Sequence, residues 1–196
     1  IDNIVLMGQG EPLLNYEPVK PALNMLIKYG KIGPTKITLS TCGIPSAMDK
    51  LISDADFPPV RLAISLHSAI EETRAKIAPS HQKFFFDFLI DWSKRYHKQV
   101  PSRTHFIGLE YVMLAGVNDD QKHLKALISL ASKMGRVRIN LIPCNQTVET
   151  GHAPSLQSAA ESTIQHWHDL LMKAGFICTT RVSQGQDIAA ACGQLR

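Results

Sequence analysis

Ile4-Val5-Leu6-Met7-Gly8-Gln9-Gly10-Glu11-Pro12-Leu13 opens the chain with an apolar run that breaks into a glycine-rich turn. An apolar run of this length, bounded by Gly and Pro, reads as a strand that enters a tight connection. The pattern then recurs. Residues 36–40, 60–66, 106–113, 136–142 and 175–182 read as further strands, several dominated by Val, Ile and Leu, as expected for strands covered on both faces. Helical stretches lie between them at 16–29, 45–53, 70–77, 84–98, 119–134 and 156–174. The first starts around Pro18 and stops at Gly30; the last two stop at Gly135 and Gly175.

Strict alternation of strand and helix predicts right-handed βαβ units and a parallel sheet, an α/β fold. Six units are few for a closed eight-stranded barrel, so an open parallel barrel and a doubly wound sheet both fit the pattern. No linker, repeat or low-complexity tract divides residues 1–196, which read as one domain with a short tail at 183–196. Residues 143–155 form the longest loop, and a long loop after a barrel strand is often functional.

Composition narrows the class. The 196 residues are 44% hydrophobic and 19% charged, the balance of a globular chain rather than a disordered one. No apolar run reaches the roughly 18 residues that would span a membrane. The start, Ile1-Asp2-Asn3, has neither a methionine nor a basic leader, so the chain reads as a piece of something longer. A net charge of +4 is compatible with a nucleic-acid partner, but the basic residues are scattered as on any solvated surface. The four cysteines, Cys42, Cys144, Cys178 and Cys192, form no Cys-x-x-Cys pair and no secreted disulfide pattern. A reducing compartment follows.

Candidate chemistry sits at the strand ends. Gly10 lets a backbone approach a ligand closely, and Glu11 could hold a cationic amino group; a plain turn with a surface glutamate explains the same residues. Ser40 and Thr41, then Ser65, Leu66 and His67, end two strands, where short hydroxyls could bind a ligand or simply cap helices. Asn145 follows the strand ending at Pro143; its amide could read an adenine edge or form a turn. Cys192 stands among small residues, Ala189-Ala190-Ala191 before it and Gly193 after it, which would leave a thiol accessible, although a lone cysteine is more often buried and inert. His166 and His168 are two apart on a helix and face different ways, so they form no metal pair. Phe84-Phe85-Phe86 reads as core or docking surface.

Taken in order, Gly-Glu-Pro-Leu-Leu-Asn (10–15), Thr-Leu-Ser-Thr (38–41), Ile-Ser-Leu-His (64–67), Glu-Tyr-Val-Met-Leu (110–114), Gly-Val-Asn-Asp (116–119), Asn-Leu-Ile-Pro (140–143) and Ala-Cys-Gly-Gln-Leu (191–195) resemble the RlmN/Cfr family of radical S-adenosylmethionine RNA methyltransferases, closer to its housekeeping branch. The resemblance covers nearly the whole chain. It implies a partial (βα)6 radical SAM barrel whose first strand is absent from this chain. It implies that Gly10 and Glu11 contact the methionyl amino end of S-adenosyl-L-methionine, and that Ser40, Ser65, Leu66, His67 and Asn145 complete the cofactor site. Cys192 matches the family's methyl-carrying cysteine, which passes the methyl to C2 of an adenine. The implied partners are large-subunit rRNA and tRNA, a ribosomal assembly particle and an electron donor such as flavodoxin, in the cytoplasm or an organellar matrix. The implied 4Fe–4S cluster needs three thiolates, and this chain has no Cys-x3-Cys-x2-Cys loop; its ligands are expected upstream. A homologue without a cluster, binding RNA or a ribosomal particle without catalysis, is the alternative.

Overall fold

The computed structural model describes residues 3–102, 105–145 and 156–181. Six strands form one all-parallel sheet in the order β1-β2-β3-β4-β5-β6. They are β1 (Ile4–Leu6), β2 (Ile37–Thr41), β3 (Arg61–Ser65), β4 (Ile107–Met113), β5 (Val137–Pro143) and β6 (Ile177–Thr180). Each strand is followed by helical structure, except the last. The helices are α1 (Tyr16–Lys28), α2 (Pro45–Ser53), α3 (Glu71–Ile77), α4 (Phe85–Gln99), α5 (Gln121–Met134) and α6 (Glu161–Lys173). A doubly wound sheet reverses its strand order at a switch point. Strictly sequential order removes that possibility and leaves the open barrel.

Sequence alternation decides which face is covered. In β2, Ile37, Leu39 and Thr41 are buried, while Thr38 and Ser40 are half-buried. The same phase runs through β4 and β5, where Ile107, Leu109, Tyr111, Val137, Ile139 and Leu141 join the helix-covered core. Each fully buried Leu or Ile there stabilises the fold by about 1.5–3 kcal/mol before entropy is counted. Trp92 on α4 stacks on Tyr96 at 5.0 Å, and its indole N–H donates to the Met48 carbonyl at 2.9 Å, tying α4 to α2.

The opposite face differs from the expectation of strands covered on both sides. It carries Ser40, Ala63, Ser65, Gly108, Glu110 and Asn140, small or polar residues unsuited to a second helix layer. The sheet instead curls across this face: Arg181, just beyond β6, donates to the Met7 sulfur just beyond β1 at 3.3 Å. β1 and β6 are the sheet edges, and Val5 on the short β1 is 51% exposed.

Two local differences from the sequence reading have clear causes. α5 starts at Gln121 rather than 119, because Asp120 caps it, its carboxylate accepting the His123 N–H at 2.9 Å. α6 starts at Glu161, not 156, because the residues before it pair with the end of β4: Ala115 N–H donates to the Gln157 carbonyl and Ala159 N–H to the Met113 carbonyl. The aromatic triplet splits, with Phe85 buried and Phe84 74% exposed.

Candidate functional site

The C-terminal ends of the strands converge on one cleft. Met7, Gly10 and Glu11 line it from the turn after β1, Ser40 and Cys42 from the end of β2, and Ser65 and His67 from the end of β3. Glu110 and Val112 on β4, Ile142 on β5 and Arg181 after β6 complete the wall. Five of the residues picked from sequence, Gly10, Glu11, Ser40, Ser65 and His67, therefore share one cavity. Leu66 is fully buried and contributes through its main chain, its N–H donating to the Glu110 carbonyl at 3.0 Å. Asn145 is buried two residues beyond β5, at the same end of the sheet but outside the residues that line the cleft. Cys192 lies outside the described residues.

Glu11 is fixed by backbone. Its Oε1 accepts the Leu13 N–H at 3.0 Å and its Oε2 the Cys42 N–H at 2.7 Å. Gly10 holds φ +91°, a conformation that a side chain would strain, and so turns Glu11 back toward β2. The Cys42 peptide is itself anchored. Its carbonyl accepts from Arg74 Nη2 at 3.0 Å and from Ser80 Oγ at 3.2 Å. Arg74 is fully buried, and its guanidinium stacks 3.8 Å over the Phe85 ring. That ring sits under Gly43, where a Cβ would come within 2.8 Å of it.

His67 adopts φ +57°, which is uncommon outside glycine and costs strain. Two contacts hold it there. Its Nδ1 accepts the Val112 N–H at 3.2 Å, and its carbonyl accepts from Asn118 Nδ2 at 2.7 Å. The first bond fixes the neutral tautomer with its proton on Nε2. Burial, helped by the Arg74 charge, pushes the His67 pKa down to about 4, so the ring is a neutral donor near pH 7.

Glu110 has no counterpart in the sequence reading beyond its place in a quoted strand. It is 5% exposed. Its Oε1 accepts from Asn140 Nδ2, and Asn140 Oδ1 accepts from the Thr179 hydroxyl, both at 2.5 Å. Burial raises its pKa, opposed by the Asn140 hydrogen bond and the Arg181 charge. Cys42, Arg74 and Arg181 were missed too. A charged residue inside an otherwise apolar strand is the signal that marks Glu110 in the sequence.

The cleft's chemistry suits an adenosyl sulfonium ligand with an amino acid end. Glu11 offers a rigid carboxylate for an ammonium, and Ser40, Ser65 and neutral His67 offer hydroxyl and N–H groups. An iron–sulfur cluster does not fit the described residues. Cys178 is buried in the core with its thiol pushed up to about 12, Cys42 and Cys144 sit at different strand ends, and among the described residues no three His, Cys, Asp or Glu could hold a metal.

Comparison with known proteins bears on the fold and the family the chain resembles. No protein-family profile matches the chain. The chain is 39% identical, over 100% of its length, to the dual-specificity RNA methyltransferase RlmN of Alcanivorax borkumensis, of which it spans about half (50%). A crystal structure of a radical SAM methyltransferase from Sphaerobacter thermophilus superimposes with a TM-score of 0.86 at 34% identity, over 100% of this chain and 55% of that one. Streptococcus suis SuiB bound to S-adenosylmethionine shares the fold alone, with a TM-score of 0.61 and 12% identity over 93% of this chain and 40% of that one. In sequence and in fold, the chain is similar to RlmN-type radical SAM methyltransferases and spans about half the length of the relatives it matches.

Proposed function

We propose that this chain is the cofactor-binding barrel of an RNA methyltransferase that moves a methyl group from S-adenosyl-L-methionine, through Cys192, to C2 of a specific adenine in large-subunit rRNA and tRNA. One observation carries the reading: Gly10, Glu11, Ser40, Ser65 and His67, chosen from three separate motifs, line a single cleft. The 39% identity to RlmN supports the same substrate class. Bound in the cleft, S-adenosyl-L-methionine supplies the methyl group.

The chain's own residues bind and orient. Glu11, locked by two backbone N–H groups, takes the methionyl ammonium. His67 stays neutral and donates from Nε2, so the ring adds no positive charge beside a sulfonium. Ser40, Ser65 and the Leu66 main chain shape the wall, and Asn145, at the same end of the sheet, would serve the adenine edge. A 4Fe–4S cluster would need three thiolates that the described residues do not supply. We place residues 1–196 in one domain, with Cys192 on the tail 183–196, and expect a cytoplasmic or organellar-matrix setting. No described helix is long and apolar enough to cross a membrane. Flavodoxin as electron donor and a ribosomal assembly particle as partner belong to the same reading.

Cys192→Ala in the intact protein tests it. Binding of S-adenosyl-L-methionine should stay near wild type while RNA methylation is abolished. Normal methylation by that variant would remove Cys192 from the reaction. Wild-type protein that binds RNA but never methylates it would favour a cluster-less binding homologue instead.

A further inference from the structure

The concave face of the sheet carries a row of polar side chains at one depth. Ser65, Glu110, Asn140 and Thr179 are register partners across β3, β4, β5 and β6. Three of them are joined by hydrogen bonds: Thr179 donates to Asn140, and Asn140 donates to Glu110. The relay has a direction. Because Thr179 occupies the Asn140 carbonyl oxygen, the Asn140 amide must present its N–H to Glu110. A buried carboxylate is expensive unless its lone pairs are used. This one has Oε1 committed to Asn140, and no hydrogen bond from a described residue reaches Oε2. The carboxylate belongs to a residue that lines the cleft.

Glu110 is also tied to the candidate cofactor segment. Its carbonyl accepts the N–H groups of Leu66 and His67 at 3.0 and 3.3 Å. The main chain that sets the Ser65–His67 turn therefore also sets the carboxylate beside Ser65. The two acids of the cleft differ in kind. Glu11 stands at the turn after β1 with both oxygens on backbone N–H groups. Glu110 stands on β4, with one oxygen on a neutral amide and the other open. A point cation suits the first. The second, flanked by a serine hydroxyl, suits a neutral ligand that offers hydroxyl donors side by side.

We propose that Glu110, oriented by the Asn140–Thr179 relay beside Ser65, is the acceptor for the vicinal ribose hydroxyls of the adenosyl ligand. The inference rests on the cofactor reading of the cleft and adds a binding residue to it. Two O–H groups can share one carboxylate, and hydrogen bonds to a charged acceptor are about twice as strong as neutral ones. Glutamine keeps the shape of Glu110 but replaces the open acceptor with an amide.

The test uses the intact protein and two ligands, S-adenosylhomocysteine and its 2′,3′-dideoxy analogue, with affinity read by calorimetry. For wild type, the diol compound should bind about 10- to 100-fold tighter than the dideoxy one, the range of one or two charged hydrogen bonds. Glu110→Gln should lose most of that preference and bind the dideoxy analogue as wild type does. Thr179→Val, which leaves the carboxylate in place but frees Asn140 to turn, should lose part of the preference; it also serves if Glu110→Gln unfolds. Equal weakening for both ligands in both variants would overturn the proposal and make the relay a purely structural feature. So would a wild type that binds both ligands alike. Wild-type protein that binds neither would overturn the cofactor reading, and the proposal with it.

Discussion

Asn118→Ala should destabilise this fold by about 3 kcal/mol, the sum of three hydrogen bonds at about 1 kcal/mol each. Asn118 is completely buried. Its Oδ1 accepts the Leu114 N–H at 2.7 Å, and its Nδ2 donates to the His67 carbonyl at 2.7 Å and the Val112 carbonyl at 2.8 Å. Alanine leaves all three main-chain groups without that partner in a site closed to water. Against a typical total of about 5–15 kcal/mol, such a loss is large. Asn118→Asp is the sharper variant. It keeps the shape and the bond to Leu114, but turns an acceptor toward two carbonyls, so it should be at least as destabilising as alanine. The effect should reach the cleft as well. The His67 carbonyl is one of the two anchors of a residue held at φ +57°, and releasing it lets the segment relax. Urea unfolding of the intact protein, with unchanged slope, measures the first effect, and calorimetry with S-adenosylhomocysteine measures the second. An alanine variant within 1 kcal/mol of wild type, or an aspartate variant as stable as wild type, would refute the reasoning.

Arg74→Lys should destabilise by about 1.5–3 kcal/mol and also weaken adenosyl-ligand binding, because lysine cannot stack on Phe85 while donating to the Cys42 carbonyl, and Cys42 in turn holds Glu11. Unchanged affinity in a measurably destabilised variant would break that link. Burial pushes His67 and His97 down to about 4, against an ordinary value near 6.5. Between those values the unfolded chain binds more protons, so stability should fall as pH drops from about 6.5 toward 4 and be insensitive to these two groups above 7. His97→Gln should shallow that acid slope; melting midpoints measured across the range would show it, and a wild type that gains stability on acidification would contradict it.

Much of this architecture was readable because strand and helix periods are local properties. The run Ile4–Leu6 and the stops at Gly30, Gly135 and Gly175 each act over a few residues, and all four fall where the pattern put them. The strand–helix pattern alone left open barrel and doubly wound sheet undecided, because strand order depends on pairing between distant segments; the family resemblance implied the barrel, and the sequential strand order bears it out. The cleft divides along the same line. Glu11 and His67 end their strands beside glycine or hydroxyl residues and stand out. Glu110 sits in mid-strand, and nothing local says that its neighbours in space are Asn140 and Thr179, each from another strand. Arg74 was hidden for a related reason. On α3 it looks like one more surface charge, and only the fold brings the Cys42 carbonyl, His81 and the Phe85 ring around it.

The two acids illustrate two ways of keeping a charge in a cleft. Glu11 is held by backbone N–H groups whose positions follow from the turns after β1 and β2, so its geometry survives most side-chain changes nearby. Glu110 is held by side chains alone. Burial works against its charge, and among the described residues the Asn140 amide and the Arg181 guanidinium favour it. Arg181 also donates to the Met7 sulfur across the sheet opening, so the residue that supports the Glu110 charge is the one that links the two edges of the curl. Movement of β1 relative to β6 would therefore change the charge beside Glu110 as well as the position of Glu11. A ligand gripped by both acids would in turn tie the β1 turn to β4, drawing the curled sheet together around itself.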